Sequence, residues 1–425
     1  MRTSPILICL SLILLFSCKK EGEIDKYAHT LPRLEITINP EFLWSPTEGL
    51  YVIGENGIPN SCDPQPANYN QKWEYPAKIE FFKNNALEFS EEIGLRIKGN
   101  CTRTYAMKSF GLYWRSEYGN NKLTYPIFNG DGGTEFKRLL LRNAGNEFGH
   151  THMKDAVNAQ IVKGEADVDL QNYRPCVVYL NDQYWGIYNI RENMTPWQLD
   201  YRYGVDKDDV DILMGVPTYP EADDGEIDDY MADVVYYLNG NNLADDANYL
   251  QFSEVIDVEN YVDYIIVQTY VYNYDWPLLN TNWWRAKTSM DYHKWRWMLF
   301  DTDRSVRKLD LNKVWLGDWY EKNAYREDRS SGFFIFNHLI KNKGFKQMFL
   351  ERYTYFLDNV YTAGRTASII ENVKNQIQPE YENHRLRWGL ISESSWSRQI
   401  DRVKEFYEER TPIMREVINE LLDEL

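Results

Sequence analysis

The sequence predicts an α+β fold with a strand-rich N-terminal half and a largely helical C-terminal half. Three observations carry this. Period-two alternation recurs from Arg33 to about Trp114. Arg174 to Glu192 reads as two alternating strands about an Asn181-Asp182 turn. From Phe333 onward the apolar residues follow a helical period almost to the C-terminus.

Taken in order, Leu34-Glu-Ile-Thr-Ile and Ala77-Lys-Ile-Glu-Phe-Phe alternate, as do Ile93 to Gly99 and Ser109 to Trp114, with Gly, Asn and Pro between them. Leu139-Leu-Leu-Arg-Asn is expected to be a buried strand. Thr151 to Lys163 places Met153, Ala156, Val157, Ile161 and Val162 at helical spacing. Tyr219 to Tyr249 is acidic and Tyr-rich, expected as a surface insert with a short helix. Ile256 to Tyr272 reads as a buried helix, and Thr281–Ala286 and Trp295–Phe300 as strands about a polar turn. Helices are expected around 345–361, 363–377, 379–388 and 397–425. This order matches the bilobal plan of protein kinases. The expected organisation is a β-rich extension at 33–75, an N-terminal lobe at 76–192 and a helical C-terminal lobe at 193–425.

The N-terminus predicts export. Arg2 precedes the short apolar run Ile6 to Phe16, too short to span a bilayer as a helix, which reads as a signal peptide over 1–17. Leu15-Phe-Ser-Cys18 resembles a bacterial lipoprotein box, implying membrane attachment through lipidated Cys18. A polar tether follows to residue 32. The expected location is the bacterial cell envelope, at the outer membrane, facing the periplasm or the surface. The net charge of −17 argues against nucleic-acid binding, which needs basic patches. With Cys9 in the signal and Cys18 taken by lipid, Cys62, Cys101 and Cys176 remain. A Cys62–Cys101 disulfide is one possibility in an exported protein, and Cys176 reads as a buried strand residue. The 14 Trp and 32 Tyr read mostly as core.

The chemistry is concentrated in Asn273-Tyr-Asp275-Trp-Pro-Leu-Leu-Asn280 and in Asp301-Thr-Asp303, which ends the apolar run Trp295 to Phe300. Phosphoryl transfer uses an Asp to orient the attacking hydroxyl, and an Asn and a second Asp to hold the metal that bridges the phosphates. The five-residue offset from Asp275 to Asn280 is the offset of the base and the Asn in protein kinases. Asp301 and Asp303 project to one face of a strand, so their repulsion calls for a cation, either Mg²⁺ or an Arg such as Arg304. Lys108, Arg96, Lys98 and Arg103 form a basic cluster suited to phosphate or to acidic neighbours. Arg142 and Glu192 are candidates for a structural ion pair. The aromatic segment Asp318 to Tyr325 reads as packing or as a substrate groove.

Five blocks in order resemble the CotH kinase family of atypical protein kinases, including its bacterial surface lipoproteins. They are Arg96-Ile-Lys-Gly99 with Arg103 and Lys108-Ser109-Phe; Leu141-Arg-Asn143 with Lys154-Asp155; Tyr179-Leu-Asn-Asp-Gln-Tyr-Trp-Gly-Ile-Tyr with Glu192; Asn273-x-Asp-Trp-Pro with Asp301-x-Asp303; and His384, Arg387-Trp388, Trp396 and Arg410. The resemblance runs from about Tyr75 to Arg410 and implies a bilobal kinase-like fold that transfers the γ-phosphoryl of ATP to protein Ser/Thr with Mg²⁺. It implies Asp275 as the catalytic Asp, and Asn280 and Asp301, with Asp303, as metal ligands. It also implies Lys108 and Arg96 on the nucleotide phosphates, Asp155 as the acidic partner of Lys108, and Arg191-Glu192-Asn193 as the hinge against adenine. The chain departs from the family in Leu278-Leu279-Asn280 and in Arg304-Ser-Val306, which replaces a Gly-bearing turn. No Gly-rich phosphate loop is present. A catalytically inactive surface-binding lipoprotein is therefore the alternative from another class, its partner being an envelope component. A glycoside hydrolase is a third and weaker option.

Overall fold

The computed structural model describes residues 24–324 and 330–424. The expected signal peptide and Cys18 lie outside them, as does Tyr325. Alternation does what it predicts: Leu34, Ile36, Ile79, Phe81, Ile93, Leu95, Ile97, Phe110, Leu139 and Leu141 all point into one core. The strands are β1 (Arg33–Ile38), β2 (Tyr75–Lys83), β3 (Ala86–Lys98), β4 (Ser109–Tyr113), β5 (Arg138–Arg142), β6 (Tyr173–Leu180) and β7 (Gln183–Glu192). They close into a barrel in the order β1-β2-β3-β4-β5-β7-β6. β1 pairs antiparallel with β2 and parallel with β6. The stretch expected as an extension thus supplies a barrel strand, and closure leaves no edge exposed. The expected tether is docked from Lys26, which pairs with Glu35 at 2.8 Å, and at His29, whose Nδ1 bonds Glu380 at 2.7 Å, with the Thr30 N–H donating to the same carboxylate at 2.7 Å. Cys62 and Cys101 are joined, their Cα atoms 5.2 Å apart, and Cys176 is buried and free.

After the barrel comes helix α1 in space if not in sequence, at Lys154–Val162, between β5 and β6. The C-terminal region contains a sheet of which the sequence predicts the two later strands but not the first two. β8 (Val210–Val216) and β9 (Tyr219–Asp224) form a hairpin, and β8 pairs with β10 (Asn282–Ala286), which pairs with β11 (Arg296–Leu299). The stretch expected as a surface insert therefore contains an edge strand. Its Tyr230 is fully buried against Trp283 and Trp295, at 5.1 and 5.2 Å between ring centroids. Helix α2 (Val258–Tyr270) is capped by Asp257, which accepts from the Asn260 N–H. Two long helices, α3 (Ala363–Trp388) and α4 (Glu393–Asp423), finish the chain. α3 runs unbroken through Pro379, where a break was expected. A proline inside a helix costs about 3 kcal/mol, and packing along β7, α1 and α4 offsets it. The result is a mixed molecule with a β-rich N-terminal and a helical C-terminal region. No helix among the described residues is long and apolar enough to cross a membrane.

The two regions meet at a bulge between Tyr184 and Gly186 in β7. Gly186 has φ +119°, and a Cβ there would lie 2.7 Å from His384 Nδ1, so only glycine lets α3 approach. On its other edge β7 pairs with β5 only from Asn189 onward, so no strand lies beside Ile187 there. Its N–H donates to His384 Nδ1 at 3.0 Å, and its carbonyl accepts from His152 Nε2 at 3.0 Å. Trp388 Nε1 donates to the Trp185 carbonyl at 2.9 Å. Burial drives both imidazoles toward neutrality, taking His152 down to about 4 and His384 well below its ordinary value.

A folded-state pKa below the unfolded one means that protons bind the unfolded chain first, so stability falls as the pH drops. Between pH 6.5 and 4, His152 alone should remove about 3 kcal/mol. Thermal midpoints measured across that range should fall steeply in the native protein, and less so in His152→Gln.

Candidate active site

The loop after β11 is gripped by α1. Asp155 Oδ1 accepts from the Thr302 N–H at 3.0 Å and from its hydroxyl at 3.2 Å. Asn158 Nδ2 donates to Thr302 Oγ1 and Ser305 Oγ at 2.9 and 2.8 Å, and Tyr407 OH donates to Asn158 Oδ1. This holds Asp301 at φ +52°, a left-handed conformation that Asp tolerates better than most residues.

The second loop follows α2. Buried Arg410 donates to the carbonyls of Tyr270 (3.0 Å), Thr269 (3.1 Å) and Leu311 (2.6 Å). A cation at a helix C-terminus both satisfies orphan carbonyls and suits the dipole, and here it fixes where Asn273-Tyr-Asp275 departs. Asp275 Oδ1 accepts from Arg304 Nη1 at 2.8 Å, and the Tyr274 N–H donates to the Arg304 carbonyl at 3.1 Å. Asn280 Nδ2 donates to the Asp301 carbonyl at 3.4 Å. Asp275, Asn280, Asp301 and Asp303 therefore share one site, as the sequence implies.

Arg142, at the end of β5, joins that site to the barrel. Its Nη2 donates to Asp301 Oδ1 and, at 2.7 Å, to Asp303 Oδ2, while its Nε lies 3.9 Å from Asp155 Oδ2. Burial alone would disfavour its charge, but the three carboxylates hold it ionised. Asp303 is 1% exposed and also accepts from the N–H and Nδ2 of Asn146, at 2.9 and 3.0 Å. Burial and the Asp301 charge push its carboxyl up to about 7, against the pull of Arg142 and Asn146. Arg142, Gly145 and Asn146 were not assigned to the site from sequence. The signal was the Arg-Asn-Ala-Gly-Asn run after a buried strand.

Three expectations are corrected. Lys108 does not face the site: its Nζ donates to the carbonyls of Arg103 and Tyr105 at 2.5 and 3.0 Å and lies 4.1 Å from the Tyr69 ring centre. Burial, with Arg103 nearby, takes it down to about 8. Asp155 is the partner of Arg191, at 2.6 Å, and not of Lys108. Burial pushes its carboxyl up, but Arg191, Arg142 and Thr302 bring it below the ordinary value. Glu192 is wholly buried and turned inward, accepting from Asn172 (2.8 and 3.0 Å) and Gln198 (3.1 Å), so it neither pairs with Arg142 nor offers itself to a base. Burial raises its carboxyl. Arg96 is half-buried opposite Gly111 on the outward face of β3, and its Nε is buried without a hydrogen-bond partner.

The sequence model of the family described as CotH kinase protein matches residues 95–414. The chain belongs to the CotH kinase family. No curated protein matches it. The CotH kinase stretch runs from β3 into α4 and contains every residue of the site, which supports a kinase-like function in general terms. Among the described residues of this family member, no group of three or more His, Cys, Asp or Glu is placed to hold a metal. Asp301 with Asn280 still fits a hard, oxygen-seeking cation, because Asp301 is 28% exposed on its side chain and its Oδ2 has no hydrogen-bond partner among the described residues. Asp303 does not fit as a ligand, since both of its oxygens are taken.

Gly145 is the tightest point of the site. It has φ +60°, and a Cβ would stand 2.0 Å from Asp303 Oδ2 and 2.6 Å from Arg142 Nη2. Gly145→Ala should cost about 2 kcal/mol or more. Gly149→Ala, where a Cβ meets nothing within 4 Å, should cost less than about 0.5 kcal/mol. Denaturant titration of the two variants checks the contrast.

Proposed function

We propose that this protein is an envelope-anchored kinase that transfers the γ-phosphoryl group of ATP to Ser or Thr hydroxyls of a protein, with Mg²⁺. The observation that carries this is the convergence of Asp275, Asn280 and Asp301 on two loops bonded to each other, beneath a basic strand end of the barrel. On this reading the barrel and the helical region act as the two lobes of a kinase-like plan, with the nucleotide between them.

The acceptor hydroxyl attacks Pγ, the bond from Pγ to the β,γ-bridging oxygen breaks, and the hydroxyl proton passes to the Asp275 carboxylate. Asp275 orients that hydroxyl, and Arg304 holds the loop that carries it. Arg142 and Arg96, in place of the enclosed Lys108, meet the phosphates. Mg²⁺ held by Asp301 and Asn280 would neutralise phosphate charge. Cys18, as a lipidated residue, would hold the enzyme on the membrane near a protein substrate or envelope partner.

Asp275→Asn and Asp301→Asn should each lower incorporation from γ-labelled ATP by about a thousandfold, with thermal midpoints shifted by only a few degrees. Native-level incorporation by either variant would refute the assignment.

One observation favours a second reading, an inactive binding protein on the same scaffold. Asp301 and Asp303 are both compensated by Arg142, and Asp275 by Arg304, so the site's carboxylates are already neutralised from within the chain. Calorimetry separates the two: the kinase should bind Mg-ATP and lose affinity in chelator, whereas the inactive form gives no heat at millimolar nucleotide.

A further inference from the structure

An open cavity of about 970 Å³ lies beside Asp303, between the 146–154 turn, the 303–309 loop and α4. The chain carries a net charge of −17, yet this cavity is lined by Lys154, Arg304, Arg307, Lys308, Arg402 and His150. Three carboxylates also line it, and two of them are committed elsewhere. Glu147 accepts from Thr151 and pairs with Lys154 at 3.0 Å, and Asp303 is clamped by Arg142 and Asn146. The third, Glu405, is exposed on α4.

The cations differ in how far they are committed. Arg307 and Lys308 pair with Asp310 and Glu409. Arg402 is exposed and has no ion pair among the described residues, and His150 is exposed. Leu309, 68% exposed, adds an apolar contact to the same wall. Nucleic acid is a poor occupant, because the surrounding surface of so acidic a chain repels a polyanion that extends beyond the cavity. A short acidic peptide fits both the local charge and the volume. Arg304 links the two places, since it lines this cavity and bonds Asp275 at 2.8 Å.

We infer that this groove docks an acidic segment of the protein substrate, presenting a Ser or Thr flanked by Asp or Glu to Asp275. The substrate specificity rests on the kinase reading above; the docking itself does not. Peptide carboxylates meet Arg402, Lys308 and His150 at the outer wall. Those nearest the acceptor meet Arg304, whose guanidinium is then shared between Asp275 and the peptide.

The test uses the full chain and two fluorescent peptides of equal length with one central Ser, one flanked by Glu and the other by Lys. Fluorescence anisotropy should show the Glu peptide binding at least tenfold more tightly, with an affinity that falls as salt is raised. The double variant Arg402→Glu/Lys308→Glu should erase that preference. Arg398→Glu/Arg415→Glu, an equal charge change on α4 outside the cavity, should leave it intact. Equal binding of the two peptides, or a preference that survives the double variant, overturns the inference. Phosphoryl transfer is then measured on the same peptides. Selective binding without transfer from any nucleotide leaves the groove standing and removes the kinase reading. Transfer to the Lys peptide in preference to the Glu peptide keeps the kinase and removes the groove.

Discussion

The guanidinium of Arg142 is the constraint on which the site depends. It leaves the barrel at the end of β5 and ends between two carboxylates of the C-terminal region, with a third behind it. A buried ion pair of this kind gains little over a well-packed apolar contact, but removing one partner strands the other charge at a cost of several kcal/mol. Its effect is therefore on specificity of arrangement. Asp301 and Asp303 would repel each other without a cation, and Arg142 is available only if β5 sits in its native register beside β4 and β7. Barrel register and loop geometry are thereby locked together. A one-residue slip of β5 would turn Arg142 into the core and leave the two acids uncompensated.

A second lock lies on the neighbouring strand. Where β5 pairing stops short of Ile187 in β7, two polar groups would be unmet in a buried interface, and His152 and His384 supply the missing partners. His152 stands just before α1, and α1 also carries Asp155 and Asn158, which hold the 301–305 loop. The short helix is thus placed from both sides, by the bulged hairpin at its start and by Arg191 from β7 along its length. Anything that shifts β7 against α3 is transmitted to Asp301 within a few bonded steps.

Much of this was legible in the sequence, for identifiable reasons. Alternation fixed which face of Leu34, Ile79 and Leu95 is inward, and the Asn181-Asp182 turn marked the hairpin, because both depend on local geometry alone. Asp275, Asn280 and Asp301 were legible as a set, since spacing and an apolar run carry them. The partners of Lys108, Asp155 and Glu192 were not. Each depends on what the fold brings alongside: carbonyls of the 101–105 turn for Lys108, Arg191 for Asp155, and Asn172 and Gln198 for Glu192. A charged residue in sequence carries no sign of whether it will be enclosed. The β8–β9 hairpin was missed because the acidic Tyr-rich stretch looks solvated, although burial of Tyr230 against two Trp residues is what holds it down.

The Arg304-Ser-Val306 turn, which departs from the family pattern, gains a physical account in this setting. A Gly-bearing turn gives conformational freedom at this place; here Asp301 and Val306 take positive φ values themselves, at +52° each. For a β-branched residue such as Val306 that is strained backbone, tolerated only where surrounding bonds fix it. Those bonds are present: the Val306 N–H donates to the Val271 carbonyl at 3.0 Å, and Ser305 is held by Asn158. The turn also carries a cation, Arg304, that reaches Asp275 and stacks 4.7 Å over Tyr274. The loop holding Asp301 and the loop holding Asp275 are thereby braced by one side chain. Arg304 is thus a charged strut between the two loops, and it also faces the basic groove. The departure from the family pattern thus falls where a cation can act on the site and on whatever occupies the groove.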